Sequence, residues 1–318
     1  MRAKKHRTAI NSKPILLIGF ILISMIFVSC ASNNKSLIQR MEKDTIYANS
    51  NEFPDDVFDK KLPEMTGDEY ERLGDTLLSS GKLHIAYLQY ERSLEANPNN
   101  LRAEYKKGLA LLLGKRSNEA VEQFNIVLKK DARFAIAYEG LGRAYFHKKE
   151  YSEAEINFQK ALKLNPTLWK AYNFLGNIYD FQKRFEEAAS AYESALAIKP
   201  GNGVLYNNLG ISYFLAGEFK KAVRAFNRAI DLKYTKSKVY NNLGMAYANL
   251  EQYSDALQAF KQAGGNARAY NNLGCIYLKK SMFEEAIRCF EKAIEAQPDF
   301  YATANKNLKK IREAQGQL

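Results

Sequence analysis

Histidine and cysteine are scarce in this sequence of 318 residues, which contains only three of each. His6, His84 and His147 lie far apart, so no two of them have the short spacing of a metal-binding motif. The H-E-x-x-H, C-x-x-C and G-x-S-x-G motifs of metalloproteases, redox proteins and serine hydrolases are also absent. We therefore predict that the protein is not an enzyme, and that it binds no cofactor, metal or small-molecule substrate.

Acidic residues are fewer than basic residues, and the formal net charge is +12. Five of these excess charges belong to the N-terminal segment, at Arg2, Lys4, Lys5, Arg7 and Lys13. The remaining lysines are dispersed over outward positions of the predicted helices, which is typical of a solvated basic face. A nucleic-acid partner is therefore not expected, and an RNA-binding scaffold is the least favoured of the functions considered below.

A pentapeptide, Tyr-Asn-Asn-Leu-Gly, occurs at residues 206–210, 240–244 and 270–274. Its glycine belongs to a series spaced by 34 residues, with one shorter step of 30: Gly74, Gly108, Gly142, Gly176, Gly210, Gly244 and Gly274. Twelve residues after each glycine stands an alanine, and four residues further on stands a tyrosine or phenylalanine. We number each repeat so that this glycine is position 8. A period of this length indicates a repeat architecture, which fixes the whole fold.

Positions 4, 7, 8 and 11 of each repeat share one stripe of an α-helix, and positions 20, 24 and 27 form the stripe of a second helix. Four repeats end at a proline, which stops a helix: Pro98, Pro166, Pro200 and Pro298. Each repeat therefore predicts two antiparallel helices, and the fold class is all-α. Since glycine in a helix costs roughly 1 kcal/mol relative to alanine, we interpret position 8 as a close approach of the two helices, opposite the alanine at position 20.

This pattern resembles the tetratricopeptide repeat. The resemblance implies a right-handed superhelical solenoid of seven helix-turn-helix repeats, which occupy residues 67–100, 101–134, 135–168, 169–202, 203–236, 237–266 and 267–300. A capping helix is expected over 301–318, and Thr66 with Glu69 predicts a capping box at the start of the first repeat.

Two repeats depart from the pattern. Repeat 2 has Glu104 and Lys107 at positions 4 and 7, where large or apolar residues are usual. The pattern therefore predicts that repeat 2 exists, but it does not predict how its helices pack. Repeat 6 lacks four residues, and its second helix is expected to end at Ala263, with Gly264 and Gly265 forming a left-handed cap.

The N-terminus reads as a secretory signal. The basic start is followed by an uncharged apolar run over 14–28, then Ser29 and Cys30. The end of residues 1–30 resembles the lipobox of bacterial lipoproteins, which implies lipidation at Cys30 and a lipid anchor in a membrane, the outer membrane being favoured where one exists. The alternative is an uncleaved single-pass anchor. Residues 31–66 show little apolar periodicity and are interpreted as a flexible tether.

The face of the first helix opposite its packing stripe carries a ladder of asparagines, and in this family that face lines the concave groove. The asparagines at position 6 of successive repeats resemble the asparagine ladder with which the superhelical domain of O-GlcNAc transferase grips extended peptides. The resemblance implies no transferase activity. An alternative is that the asparagines only cap and solvate helix ends, and that the phenylalanines are buried between repeats. The predicted peptide-binding residues are Asn208, Asn242, Asn272, Asn173, Asn207, Asn241, Asn271, Phe146, Phe174, Phe181 and Phe214.

These features together predict a membrane-anchored, extracytoplasmic scaffold that binds a protein or peptide partner in its concave groove. By resemblance to bacterial lipoproteins of this build, its process is envelope, pilus or secretion assembly. The alternative function is a structural role in envelope maintenance, in which the solenoid binds glycan or a second copy of itself.

Overall fold

A computed structural model describes residues 65–298 and 301–314 of this chain. These residues contain fourteen α-helices and no strand. The predicted signal segment, Cys30 and all of the tether except Met65 and Thr66 lie outside the described residues. The helices, in chain order, are α1 Gly67–Ser79, α2 Leu83–Ala96, α3 Leu101–Leu113, α4 Ser117–Lys130, α5 Ala135–His147, α6 Tyr151–Leu164, α7 Trp169–Phe181, α8 Phe185–Ile198, α9 Gly203–Leu215, α10 Phe219–Asp231, α11 Ser237–Asn249, α12 Tyr253–Lys279, α13 Phe283–Ala296 and α14 Tyr301–Ala314.

The described residues fall into two compact units, 65–264 and 265–314. Within the first unit each helix from α1 to α11 packs against the next, and the first helices α3, α5, α7, α9 and α11 also contact one another in succession. First helices therefore form one layer and second helices the other, which confirms the predicted all-α solenoid. Within the second unit α14 packs against α13, and Ala304 and Ile311 of α14 are fully buried.

The two helices of every repeat are joined by a turn. In each turn the residue at position 15 of the repeat adopts a left-handed conformation, with φ between 59° and 81°. Glycine supplies this conformation at Gly81 and Gly217, whereas Lys115, Lys149 and Lys183 adopt it without being glycine. At the start of the solenoid the predicted capping box is confirmed, since the Thr66 side chain accepts from Glu69 N at 3.3 Å while Glu69 Oε2 accepts from Thr66 N at 2.8 Å.

The glycine at position 8 of each repeat marks the close contact between the two helices, as predicted. The side chain that it contacts is an aromatic residue of the second helix. A Cβ built on Gly176 would lie 2.6 Å from the ring of Tyr192, and one built on Gly244 would lie 2.5 Å from the ring of Phe260. The same contact to the aromatic residue at position 24 recurs in all seven repeats. The side chain nearest to the glycine is therefore the aromatic ring at position 24, while the alanine at position 20 is fully buried in every repeat.

Repeat 2 keeps the fold because its two departing residues are paired. Glu104 is buried, where it receives a hydrogen bond from the Gln123 side chain and an ion pair from Lys130 Nζ at 2.8 Å. Lys107 Nζ pairs with Glu91 at 2.9 Å and lies 4.9 Å from the ring centre of Tyr87. Cross-helix charge pairs thus replace the apolar contacts of the other repeats.

The helical span α12 covers Tyr253 to Lys279 without a separate turn, so the second helix of repeat 6 does not stop at Ala263 as expected. Gly265 within this span has a φ of +79°, which lies outside the right-handed helical region, so the helical path is interrupted there. The expected left-handed glycine after Ala263 is therefore confirmed at Gly265, and the four missing residues include the usual turn.

Candidate partner-binding site on the first helices

The predicted asparagines divide into a buried and a half-exposed group. Asn173, Asn207, Asn208 and Asn242 are buried within the first unit. Asn241, Asn271 and Asn272 remain half-exposed. In this conformation a partner can therefore reach Asn241, Asn271 and Asn272 more easily than the four buried asparagines.

Position 5 of one repeat and position 6 of the next form a polar seam between adjacent first helices. In repeats 4 and 5 the Asn208 side-chain Nδ2 donates to Asn173 Oδ1 at 3.0 Å. In repeats 1 and 2 the same two positions hold an ion pair, with Lys106 Nζ lying 2.7 Å from Glu71 Oε1. The interpretation that the asparagines have no packing role is wrong for Asn173 and Asn208, because each satisfies the other's buried amide.

The predicted phenylalanines are also divided. Phe146 and Phe174 belong to the core, where their ring centres lie 5.1 Å apart, and Phe174 stacks on Phe158 of α6 at 5.3 Å. Phe181 and Phe214 are half-buried. The alternative of burial between repeats therefore describes Phe146 and Phe174, while Phe181 and Phe214 remain accessible to a partner.

Two buried side-chain oxygens of the asparagine ladder accept no hydrogen bond from any described residue. They are Asn207 Oδ1 in the first unit and Asn271 Oδ1 in the second. Both belong to position 5. A buried acceptor without a donor costs about 1–3 kcal/mol, so a donor from water or from a bound partner would stabilise either position.

Helix α5 contributes a charged row that the sequence did not single out. Glu139, Arg143 and His147 occupy positions 5, 9 and 13, which share one face of the helix. Burial raises the pKa of Glu139 against the opposing charges of Arg143 and Lys170. Burial, followed by the charge of Arg143, lowers the pKa of His147 to about 4, so the imidazole is neutral near pH 7. Arg143 Nε is buried and donates to no described residue, which leaves a cation poised for an anionic or carbonyl group.

Repeat 4 contains a buried polar cluster that the sequence reasoning missed. The Tyr192 hydroxyl lies 2.6 Å from Asn177 Oδ1 and 3.0 Å from Asp180 Oδ2. Burial raises the pKa of Asp180 to about 7, despite opposing hydrogen bonds from the hydroxyls of Ser212 and Tyr192. The Ser212 hydroxyl also lies 3.1 Å from the carbonyl oxygen of Phe185, to which it donates, and Asp180 Oδ1 accepts no hydrogen bond from the described residues.

One phenolic proton cannot serve both of these acceptors. If Asp180 is protonated, its own hydroxyl donates to the Tyr192 oxygen and Tyr192 donates to Asn177, so that both contacts are satisfied. A signal for this cluster exists in the sequence: tyrosine at position 24 occurs in repeats 1 and 4, the two repeats with Asp or Asn at position 9.

The described part of the chain shows neither a group of metal ligands nor a candidate membrane span. Across 65–298 and 301–314, no three His, Cys, Asp or Glu side chains are grouped so that they could hold a metal ion. None of the fourteen helices found there combines the length and the apolar character that a membrane span requires.

Comparison with known proteins identifies the repeats. Family models described as tetratricopeptide repeat match residues 71–125, 133–201, 182–243, 238–263 and 267–300. No curated protein matches the chain.

Similar solved structures include a MamA protein, which is 31% identical over 54% of this chain and 94% of its own, with a TM-score of 0.45. A chain of the APC/C hetero-tetramer Cut9–Hcn1 is 23% identical over 77% of this chain and 49% of its own, with a TM-score of 0.54. A tetratricopeptide repeat protein from Parabacteroides merdae is 18% identical over 77% of this chain and 98% of its own, with a TM-score of 0.51. The helix pairs, the glycine-on-ring contact and these matches agree, and the chain belongs to the tetratricopeptide repeat family.

Proposed function

We propose that this protein is a membrane-anchored, extracytoplasmic scaffold whose first helices hold an extended segment of a protein partner. Its fold is that of a protein-interaction scaffold. The finer proposal, that the partner belongs to envelope, pilus or secretion assembly, is supported by the signal-like N-terminus and the lipobox-like Cys30. The lipid chains on a processed Cys30 would hold the scaffold at the membrane, since each buried CH₂ contributes about 0.8 kcal/mol.

The observation that carries the proposed grip is the unpaired amide oxygen at position 5. Asn207 Oδ1 and Asn271 Oδ1 each lack a donor among the described residues. Asn271 is half-exposed, whereas Asn207 is buried and would meet a partner only after its side chain turns outward. An extended peptide presents a backbone N–H at regular intervals and independently of its sequence. A partner that donates to these oxygens removes the cost of leaving them unpaired.

Arg143 supplies charge to the same face within the first unit. Its Nε also lacks an acceptor among the described residues, and the neighbouring His147 is neutral near pH 7, so it adds no second positive charge there. A carbonyl or carboxylate of the partner would satisfy this donor. The half-buried rings of Phe181 and Phe214 offer apolar contact to the partner's side chains.

The grip is tested by crosslinking in cells and then by affinity. A photo-crosslinking amino acid at Phe214 should capture a protein, whereas the same group at Ile156, an exposed position on a second helix, should not. With that protein as titrant, Asn271→Ala should weaken binding about fivefold, corresponding to about 1 kcal/mol. Asn207→Ala should weaken it less, because Asn207 is buried. Asn249→Ala is the matched control, because Asn249 donates to Met245 O within its own helix. Glycan adducts at Phe214, or equal affinity of all variants, would contradict the grip.

The anchor needs a separate test. Cells grown with a palmitate analogue should label the wild-type chain, and Cys30→Ser should abolish the label and leave the precursor uncleaved. Cys289→Ser serves as the control, since that thiol is buried in α13. Label retained by Cys30→Ser would contradict lipidation at Cys30, and a wild-type chain that takes up no label would favour the uncleaved single-pass anchor.

A further inference from the structure

Helix α10 has a charge unlike that of the other second helices. It carries Lys220, Lys221, Arg224 and Arg228 against the single acid Asp231. By contrast α8, at the same place in the preceding repeat, carries three acids and no basic residue. Residues 217–238, which include α10 and the link after it, hold seven basic and two acidic residues. The excess positive charge of the solenoid is therefore concentrated in repeat 5.

Three of these cations form one exposed stripe. Lys220, Arg224 and Arg228 follow at intervals of four residues, so they share a face of α10. None of the three makes an ion pair or hydrogen bond with a described residue, whereas Lys221 pairs with Glu218. Like charges four residues apart on a helix repel one another, so the stripe is destabilising until an anion covers it.

An open depression of about 460 Å³ adjoins the stripe. Phe219 and Leu250 give it an apolar floor, and Lys220, Lys221 and Arg224 stand around it with one acid, Glu218, which pairs with Lys221. This combination suits a segment that carries both carboxylates and apolar side chains. A segment with carboxylates alone would leave the floor uncovered, and an apolar segment would leave the cations unpaired.

The chain itself contains a segment with that chemistry. Residues 52–59, Glu-Phe-Pro-Asp-Asp-Val-Phe-Asp, hold four acids, two phenylalanines and a valine with no basic residue. This acidic segment precedes the first described residue, Met65. Asp55 and Asp56 lie ten and nine residues before Met65, a stretch that reaches at most about 36 Å when fully extended. Repeat 5 lies four repeats beyond repeat 1, and helices of adjacent repeats pack about 8–10 Å apart, which puts α10 roughly 32–40 Å from α1. The segment could therefore meet α10 of its own chain only with this stretch fully extended, whereas a second copy imposes no such requirement.

We propose that the acidic segment 52–59 of one copy docks on the basic stripe and depression of α10 in a second copy. The two contact surfaces are different, so the association is head-to-tail and an assembly of copies keeps one free segment and one free stripe at its ends. Such a contact builds open chains of copies, except where two copies exchange segments and close into a dimer. The attraction is electrostatic at the stripe and apolar at the depression, and the electrostatic part weakens as salt is added.

The contact is tested by mixing unlabelled and ¹⁵N-labelled full chain and joining carboxylates to lysines with a zero-length crosslinker. We expect crosslinks between Asp55 or Asp56 and Lys220 or Lys221 that pair a heavy with a light peptide. Crosslinks of uniform mass only would place the segment on its own chain and overturn the proposal, as would the absence of these crosslinks.

A charge swap provides the second measurement, by sedimentation of the full chain. Lys220→Glu with Lys221→Glu should weaken self-association at least about tenfold, and so should Asp55→Lys with Asp56→Lys. Combining the four changes should restore association, which a folding defect cannot imitate. The control is Lys163→Glu with Lys199→Glu, two exposed lysines without a described ion-pair partner, which should change nothing. A wild-type chain that stays monomeric, or a combined variant no better than either reversal, would refute the docking.

Discussion

Repeats 1 and 4 both carry a tyrosine at position 24, where the other repeats carry phenylalanine, and in both the phenolic hydroxyl meets an acid of the first helix. The Tyr90 hydroxyl lies 3.0 Å from Asp75 Oδ1, and the Tyr192 hydroxyl lies 3.0 Å from Asp180 Oδ2. The surroundings of the two acids are opposite. Asp75 is exposed and pairs with Lys106 Nζ at 2.6 Å, whereas Asp180 is 2% exposed and forms no ion pair with any described cation.

The next repeat decides this difference. In repeat 1, desolvation would raise the pKa of Glu71, but hydrogen bonds from Lys106 and Arg102 of repeat 2, and from Asn100 at the start of α3, outweigh it and lower the pKa to about 2. Repeat 4 instead meets Asn208 and Ser212 of repeat 5, which are neutral. A tyrosine at position 24 thus belongs to two different clusters. In repeat 1 the cluster contains ion pairs and is partly open to solvent, whereas in repeat 4 it is buried and a neutral acid is favoured.

The largest expected effect comes from removing the ionisable group in repeat 4. The pKa of Asp180 is raised from its ordinary 3.8 to about 7 in the fold. Below pH 3.8 the group is protonated in both states, and stability falls as pH rises towards 7 because only the unfolded state releases the proton. Above pH 7 the penalty is constant at roughly 4 kcal/mol. Asp180→Asn should recover most of this at pH 8 and flatten the dependence, as measured by denaturant unfolding across pH.

Asp75→Asn is the matched control for that experiment. It removes the charge that pairs with Lys106 in repeat 1, so it should destabilise and should leave the slope between pH 4 and 7 unchanged. Equal pH profiles for wild type and Asp180→Asn would show that Asp180 ionises normally, and the distinction between the two repeats would fail.

A smaller effect is expected from filling the glycine contact. Gly176→Leu and Gly74→Leu place a side chain against the rings of Tyr192 and Tyr90, and overpacking typically costs about 1–3 kcal/mol. Repeat 4 has a described repeat on each side, while repeat 1 is followed by repeat 2 and no described repeat precedes it. Solenoids couple mainly through neighbours. Hydrogen exchange should therefore rise over α5 to α10 for Gly176→Leu, but only over α1 to α4 for Gly74→Leu. A uniform loss over both units would contradict this local coupling.

Deleting each tyrosine hydroxyl should separate the two clusters further. Tyr192→Phe leaves the buried Asn177 Oδ1 without a described donor, which should cost about 1–3 kcal/mol. Tyr90→Phe should cost less than about 1 kcal/mol, because Asp75 keeps Lys106 and faces solvent. Thermal melts of the two variants measure the difference. Equal losses would mean that solvent reaches both acids alike.

The sequence predicts the parts of this fold that repeat and misses those that occur once. The glycine at position 8 and the aromatic residue at position 24 recur in every repeat, so periodicity alone predicts the helix pairs and the close contact between the two helices of a pair. Which side chain lies under the glycine depends on ring orientation, which spacing does not define. The asparagine ladder was identified, but the bond from Asn208 to Asn173 joins residues 35 apart in adjacent repeats. The state of Asp180 depends on burial and on the absence of a nearby cation, and neither follows from a repeat alignment.

The smallest expected effect is that of salt, which should act on one repeat and not on the other. The cluster around Glu71 relies on the exposed Arg102 and on Lys106, and exposed ion pairs contribute up to about 1 kcal/mol that salt screens. The Asp180 cluster includes no ion pair to a described residue, so screening has nothing to weaken there. Amide hydrogen exchange at low and high salt, held at one pH, should therefore show faster exchange over α1 to α3 at high salt and equal rates over α7. Helix α8 is left out of this comparison because Arg184 at its start pairs with Glu155 and Glu187. Salt-dependent exchange in α7 would mean that Asp180 is charged and paired, and it would remove the contrast between the two repeats.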